Sequence, residues 1–202
     1  WFNDFSAQID FETHVDWHES HKMLKAVFPV DILTDKATYD IQFGHVQRPT
    51  HENTSWDKAK FEVYGHKWVD VSEPGYGVSL LNDCKYGISV DGSDMRLTLH
   101  KGGCRPDPFT DNGMHTMTYS LLPHMGAFDA ETVIQPAYEL NYQPVVVEGE
   151  LKAPKLFSLS NSGIICEAVK NAEDVENAYV LRLYEAERNT ANCTLTLNGA
   201  KR

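Results

Sequence analysis

Between Gln42 and Gly87 the sequence gathers the side-chain types that a polyhydroxylated ligand such as a sugar requires. His45, Arg48, His51, Asn53, Asp57, Asn82, Asp83 and Lys85 offer short or fixed donors and acceptors. Trp56 and Tyr86 offer flat faces for C–H surfaces. Such groups recognise a ligand only when a rigid scaffold holds the loops that carry them. The densest stretch, Asn82-Asp83-Cys84-Lys85-Tyr86-Gly87, follows an apolar run with Val78, Leu80 and Leu81. There Asp83 and Lys85 can orient one another and bind hydroxyls. The competing reading is an ordinary β-turn in which Asn and Asp cap backbone amides. Spacing alone favours the turn.

Other chemistry is harder to find. His14, His18 and His21, with Asp16 and Glu19 between them, have the composition of a metal cluster. Zinc needs three or four ligands converging in a tetrahedron. The alternation of the surrounding strand puts His14 on a polar face and leaves His18 and His21 in the turn beyond, so no metal site is expected. A glycosidase working with retention needs two carboxyls about 5–5.5 Å apart. The chain has 29 acidic residues, and spacing singles out no pair among them. No GxSxG, phosphate loop or catalytic Cys/His signature is present. No catalytic residue is therefore expected in this segment.

The four cysteines, Cys84, Cys104, Cys166 and Cys193, are widely spaced without a CxxC pair and read as free thiols. Cys84 and Cys104 are expected at the surface, and Cys166 and Cys193 in the core. Asn53-Thr54-Ser55 and Asn192-Cys193-Thr194 fit the glycosylation pattern, which matters only in a secreted protein.

Strands must position all of this. Ile9, Phe11, Thr13, Val15 and Trp17 alternate with polar residues, as do Tyr39, Ile41 and Phe43. Further strand-like runs are 22–30, 61–71, 75–81, 95–100, 116–122, 144–148, 163–169, 179–185 and 193–197. Val90-Asp91-Gly92-Ser93-Asp94-Met95 is a hairpin signal. Residues 130–141 form the one helical candidate, which Pro136 limits to short pieces. Gly102–Asn112 is rich in breakers and reads as an exposed loop. The pattern predicts an all-β fold, a large antiparallel two-sheet sandwich with one short helix. Within 61–71, Phe61, Val63, Val69 and Val71 mark one face of a single strand, and Tyr64, His66, Trp68 and Asp70 the other. The three rings are expected to pack under a loop or against the second sheet, the alternative being a surface that docks on a neighbouring domain.

A chain of 202 residues is long enough for a substantial core. Its formal net charge of −11 argues against nucleic acid and anionic membrane as partners. No apolar run approaches the roughly 18 residues of a membrane span. The chain opens Trp1-Phe2-Asn3, without methionine or a signal-like apolar stretch. It is therefore expected to begin inside a longer protein.

The order of the residues says more than their composition. QFGHVQRPTHENTSWDKAKFEVYGHKWVDVSE followed by LLNDCKYG resembles the large C-terminal β region of the α-mannosidases of glycoside hydrolase family 38. IDFETHVDWHESHKMLKAVFPVDI, MRLTLHKGGCRPDP, MTYSLLPH and LRLYEA agree in the same order, so the resemblance covers about residues 7 to 197. It is nearest to the branch of bacteria, the fungal vacuole and the animal cytosol, which implies a cytoplasmic protein.

The resemblance implies a supersandwich like that of galactose mutarotase, with residues 1–202 as one C-terminal domain. It also implies an upstream catalytic barrel and helical domain holding zinc or another divalent metal and the catalytic carboxylates. The expected substrates are mannosides or oligomannose glycans with terminal non-reducing α-D-mannose. The Asn82–Gly87 loop would face the active-site mouth, and Asn82, Asp83, Lys85, Tyr86, His45 and Arg48 are the candidate substrate contacts. In the Golgi branch an Asp-Arg-Arg run occupies that loop, and this sequence departs from it. An independent carbohydrate-binding module is the rival reading.

Overall fold

The computed structural model describes residues 6–149 and 156–198, so the opening Trp1-Phe2-Asn3 lies outside it. The fold is built on two antiparallel sheets packed face to face. The larger has six strands: β1 (Ile9–Trp17), β3 (Lys36–Ile41), β4 (Gly44–Pro49), β6 (Trp68–Glu73), β7 (Tyr76–Asn82) and β10 (Gly113–His124). Their order across the sheet is β1-β10-β7-β6-β3-β4. The smaller sheet holds β2 (Met23–Pro29), β5 (Val63–Tyr64), β8 (Gly87–Asp91) and β9 (Asp94–Lys101), ordered β2-β9-β8-β5. Tyr39, Val69, Val71 and Leu80 from the first sheet interleave with Ile88, Met95, Leu97 and Leu99 from the second. Each is at most 4% exposed, so this layer is the dry core.

The large sheet is covered on its other face as well. A π-helical turn, Ala130–Ile134, runs into helix Gln135–Asn141 and lays Val133, Ile134 and Ala137 over Trp68, Leu81 and Leu122. Asp129 starts this segment by accepting the amides of Glu131 and Thr132. Pro136 falls in the first turn of the helix, where its missing N–H costs nothing. Double coverage explains the unbroken burial of β7 from Gly77 to Asn82. A strand buried on both sides loses its polar alternation. A short helix at Ser55–Lys58, capped by Thr54, was not expected.

Two further two-stranded sheets follow, of which only the second is a hairpin. They pair β11 (Phe157–Leu159) with β14 (Leu195–Leu197), and β12 (Ile164–Asn171) with β13 (Tyr179–Glu185). No helix among the described residues is long and apolar enough to cross a membrane.

Several expectations need correction. Residues 61–71 are not one strand: β5 belongs to the small sheet and β6 to the large one. Between them Gly65 donates to Tyr86 O, and His66 donates to Asp40 O on β3, so the chain changes sheets within two residues. A Cβ on Gly65 would sit 3.0 Å from Ile88 Cδ1 and 3.2 Å from Tyr39 Cδ1. A side chain at the crossing would therefore press on both core residues. Trp68 is buried as expected, at 1% exposure, but Tyr64 is 52% exposed.

Residues 144–148 form no strand. Val145 and Val146 are exposed, and no ladder partner reaches them among the described residues. Phe43 lies in the left-handed turn between β3 and β4 rather than in a strand. Cys84 and Cys104 are exposed as expected, but so is Cys193, and Cys166 is only half-buried.

Candidate functional site

The site is best built from the turn that ends β7. Asn82 is fully buried and holds the turn together. Its side-chain amide donates to His66 O at 2.7 Å, and its Oδ1 accepts the Lys85 amide at 2.7 Å. Its backbone N–H donates to Lys67 O, and its carbonyl accepts from Asn141 Nδ2. Every polar group of Asn82 is thereby engaged. Asp83 clamps the neighbouring strand: its amide donates to Thr118 O, and its Oδ2 accepts the Thr118 amide at 2.9 Å. Its buried Oδ1 has no hydrogen-bond partner among the described residues. Asn82 thus caps the turn, whereas the Asp83 carboxylate bonds the neighbouring strand β10 instead. Lys85 is half-buried and Tyr86 is 48% exposed, so these two present the turn to solvent.

Beside Tyr86 runs a strip of rings. The His66 ring meets the Tyr86 ring edge-on at 5.3 Å and the Tyr64 ring at 5.8 Å. Beyond Tyr64 lies the Arg48 guanidinium, 4.9 Å from the Tyr64 centroid and 4.6 Å from that of Tyr39. Arg48 Nη1 is buried without a hydrogen-bond partner among the described residues. Cation–π contact over two rings holds it in place of an ion pair. The pairing of β5 with β8, which sets Tyr64 opposite Gly87, brings this strip together. Aromatic faces of this kind, wet at one edge, suit sugar C–H surfaces.

On the far side of the turn two histidines close the end of the sandwich. His100 on β9 and His115 on β10 meet at 4.1 Å with their rings tilted by 45°, and Trp17 packs on His100 at 4.8 Å. Burial holds the His100 imidazole below its ordinary pKa, and the charges of His115 and Lys85 lower it further. It is therefore neutral at physiological pH.

The six candidates do not converge. Asn82, Asp83, Lys85 and Tyr86 form one unit, and Arg48 joins it through Tyr64 and His66. His45 stands apart. It lies on β4, three strands across the large sheet from β7, which at about 4.8 Å per strand is roughly 14 Å. It is 8% exposed, bonds Ala186 O through Nδ1 at 3.0 Å, and packs on Phe128 at 5.0 Å. That environment is structural. Sequence reading assigned Tyr64 and His66 to packing, because the sheet crossing at Gly65 hid their exposure.

The histidines near the start do not fit a zinc site. His14 pairs with Glu12 and His18 with Asp16, each within its own stretch of exposed chain. His21 faces the Cys104 sulfur at 3.7 Å instead. Among the described residues no three His, Cys, Asp or Glu side chains gather to hold a metal ion.

Comparison with known proteins gives this geometry its setting. The family described as Glycosyl hydrolases family 38 C-terminal domain matches residues 3–109. Alpha-mannosidase 2C1 of Homo sapiens is 48% identical over 94% of this chain and 19% of its own length. Alpha-mannosidase G of Dictyostelium discoideum is 45% identical over 90% of this chain and 17% of its own length. Alpha-mannosidase of Saccharomyces cerevisiae is 40% identical over 95% of this chain and 20% of its own length. The chain thus spans about a fifth of the length of these curated relatives. The crystal structure of an alpha-mannosidase from Enterococcus faecalis shares the fold, with a TM-score of 0.81 at 21% identity over 95% of this chain and 23% of that one. The chain belongs to glycoside hydrolase family 38, within its C-terminal β region.

Proposed function

We propose that residues 1–202 are the non-catalytic C-terminal β domain of a cytoplasmic retaining α-mannosidase that releases terminal non-reducing α-D-mannose. The observation that carries this reading is the 40–48% identity, over 90–95% of the chain, to three proteins each named alpha-mannosidase. In this reading the preceding polypeptide supplies the catalytic barrel, the helical domain, zinc or another divalent metal, and the two carboxylates. The sandwich supports the barrel, and mannosides or oligomannose glycans are the substrates. The Asn82–Gly87 turn reaches the substrate cleft with a division of labour. Asn82 and Asp83 fix the turn, Lys85 and Tyr86 touch the sugar, and the strip through His66 and Tyr64 to Arg48 backs them. A strand end followed by a tight turn holds short polar groups rigidly, as sugar recognition requires.

The exposed strip also favours a second reading, an independent carbohydrate-binding module. One set of measurements separates the two. The full-length polypeptide should hydrolyse an aryl α-mannoside, and Lys85→Ala should lower kcat/KM without moving the melting temperature. Loss of one charged hydrogen bond costs about 1.5–3 kcal/mol, roughly ten- to 150-fold in rate. Wild-type kinetics in Lys85→Ala would remove the turn from the cleft. No hydrolysis by the full-length polypeptide would end the mannosidase reading. Mannoside binding by residues 1–202 alone would favour the module.

A further inference from the structure

The two C-terminal strand pairs, hairpin β12/β13 and ladder β11/β14, carry an apolar face that the sandwich does not use. Hairpin β12/β13 is tied to the helical layer by Ile165 and Tyr184. Successive side chains of a strand point to opposite faces, so Leu181 and Leu183 point away from that contact. On the outward side, Val169 and Leu181 meet Phe157, Leu195 and Leu197 of the β11/β14 ladder around an open cavity of about 470 Å³. Asn198 is the one side chain without a large apolar body among the eight that line it. Tyr179 is 74% and Leu197 55% exposed. Neither strand pair has a third strand among the described residues, and β11/β14 pairs only three residues on each side. A two-stranded hairpin is marginal alone in water, and a contiguous exposed apolar face of this kind marks an interface.

We infer that, in the longer polypeptide, the part preceding residue 1 covers this face and adds its own strands to the edges of the two strand pairs. The inference rests on reading the chain as the C-terminal part of an α-mannosidase. Two facts select the occupant. The chain spans only 17–20% of its relatives' length, and the matching family is described as a C-terminal domain. About four-fifths of such a polypeptide therefore lies outside this chain, and a domain described as C-terminal follows the bulk of its polypeptide. Strand addition would satisfy the edge amides and bury the leucines in one step.

Hydrogen exchange on the full-length polypeptide and on residues 1–202 tests this. The backbone amides of 157–159, 164–171, 179–185 and 195–197 should exchange about tenfold or more slowly in the full-length protein. The amides of 78–82 in the sandwich should be equally protected in both. Tyr179→Asp with Leu197→Asp, both solvent-facing in the isolated chain, should return the strand pairs of the full-length protein to the fast rate. Equal exchange of the strand pairs in the two proteins would overturn the inference. Slow exchange already present in residues 1–202 would overturn it too. If independent of concentration, that result means cover from within the chain, and if concentration-dependent, cover by a second copy. Aryl α-mannoside hydrolysis by the same full-length preparation reports separately on the mannosidase reading.

Discussion

Strands β6 and β7 each carry polar and ring residues toward both ends of the large sheet, and the two ends treat them oppositely. At one end Asp70, Ser72, Ser79 and His124 form a closed knot. Asp70 Oδ1 accepts from Ser79 Oγ at 2.7 Å and faces His124 Nε2 at 2.7 Å, while Ser72 bonds Oδ2. The His124 and Asp70 side chains are 3% and 1% exposed. The backbone makes room by having no side chain at Gly77, where a Cβ would lie 2.3 Å from His124 Cε1. At the other end the Tyr86–His66–Tyr64 strip leaves half of each tyrosine in water. Both ends contain histidine, and residue type alone does not tell them apart. What separates them is burial: the closed end shuts its Asp70–His124 pair away from water, and the open end leaves flat faces and a lysine within reach of it.

The largest effects should come from breaking the closed side. His124→Ala would leave the Asp70 carboxylate buried without its cation, which costs about 3–5 kcal/mol. Trp68→Ala, which empties a fully buried ring site, should cost a similar 3–5 kcal/mol. Urea unfolding of residues 1–202 measures both. A loss under about 1 kcal/mol, the size typical of surface changes, would mean for His124→Ala that the closed end is not closed and for Trp68→Ala that the helical layer does not bury the ring.

A smaller effect follows from the charge of the knot. Burial works against the His124 imidazolium, but the hydrogen bond and charge of Asp70 outweigh it and raise its pKa. An unfolded histidine titrates near 6.5, so the folded state holds this proton more tightly than the unfolded one. The pair's stabilisation is then complete below about pH 6.5 and fades as pH rises through the raised folded value. The double variant Asp70→Asn, His124→Gln keeps polar atoms and removes both charges. Wild type should exceed it in unfolding free energy by more at about pH 5.5 than at about pH 8.5. His45, lowered chiefly by burial, is present in both proteins and cancels from the difference. A gap that widens toward alkaline pH would show that the pair is not an imidazolium–carboxylate pair.

The same contrast governs what could be read from the sequence. Strand β1 alternates because only one face is buried, and the 91–94 hairpin turn carries Gly92 at positive φ. Both were legible. The centre of the large sheet was not, because coverage from both sides erases the alternation that identifies a face. Residues 61–71 kept a false alternation across the crossing at Gly65, and this made Tyr64 look like a companion of Trp68. Strand β4 went unseen because Gly44 and Pro49 bracket it like a loop. Its parity would have set His45 and Arg48 on opposite faces. The Asn82–Gly87 turn was legible as a unit. Its ring neighbours were not, since pairing of β5 with β8 is long-range information.

The smallest expected effect is also the sharpest test of the open end. Tyr64 and Trp68 are four residues apart, and a reading by alternation gives them one role. With Tyr64 at 52% exposure and Trp68 at 1%, the structure gives them different ones. Tyr64→Ala should cost less than about 1 kcal/mol of stability, well below Trp68→Ala, because half the ring is already in water. Ring-stacking contacts are worth about 0.5–1.5 kcal/mol, so in the full-length polypeptide KM for an oligomannoside should rise about two- to twelvefold. Tyr64→Phe keeps the ring and should restore both values. A melting temperature lowered as far as in Trp68→Ala would return Tyr64 to the core and leave the strip without its middle ring. Unchanged KM at unchanged stability would instead leave the strip as a support for Arg48 alone, with sugar contact falling to Lys85 and Tyr86.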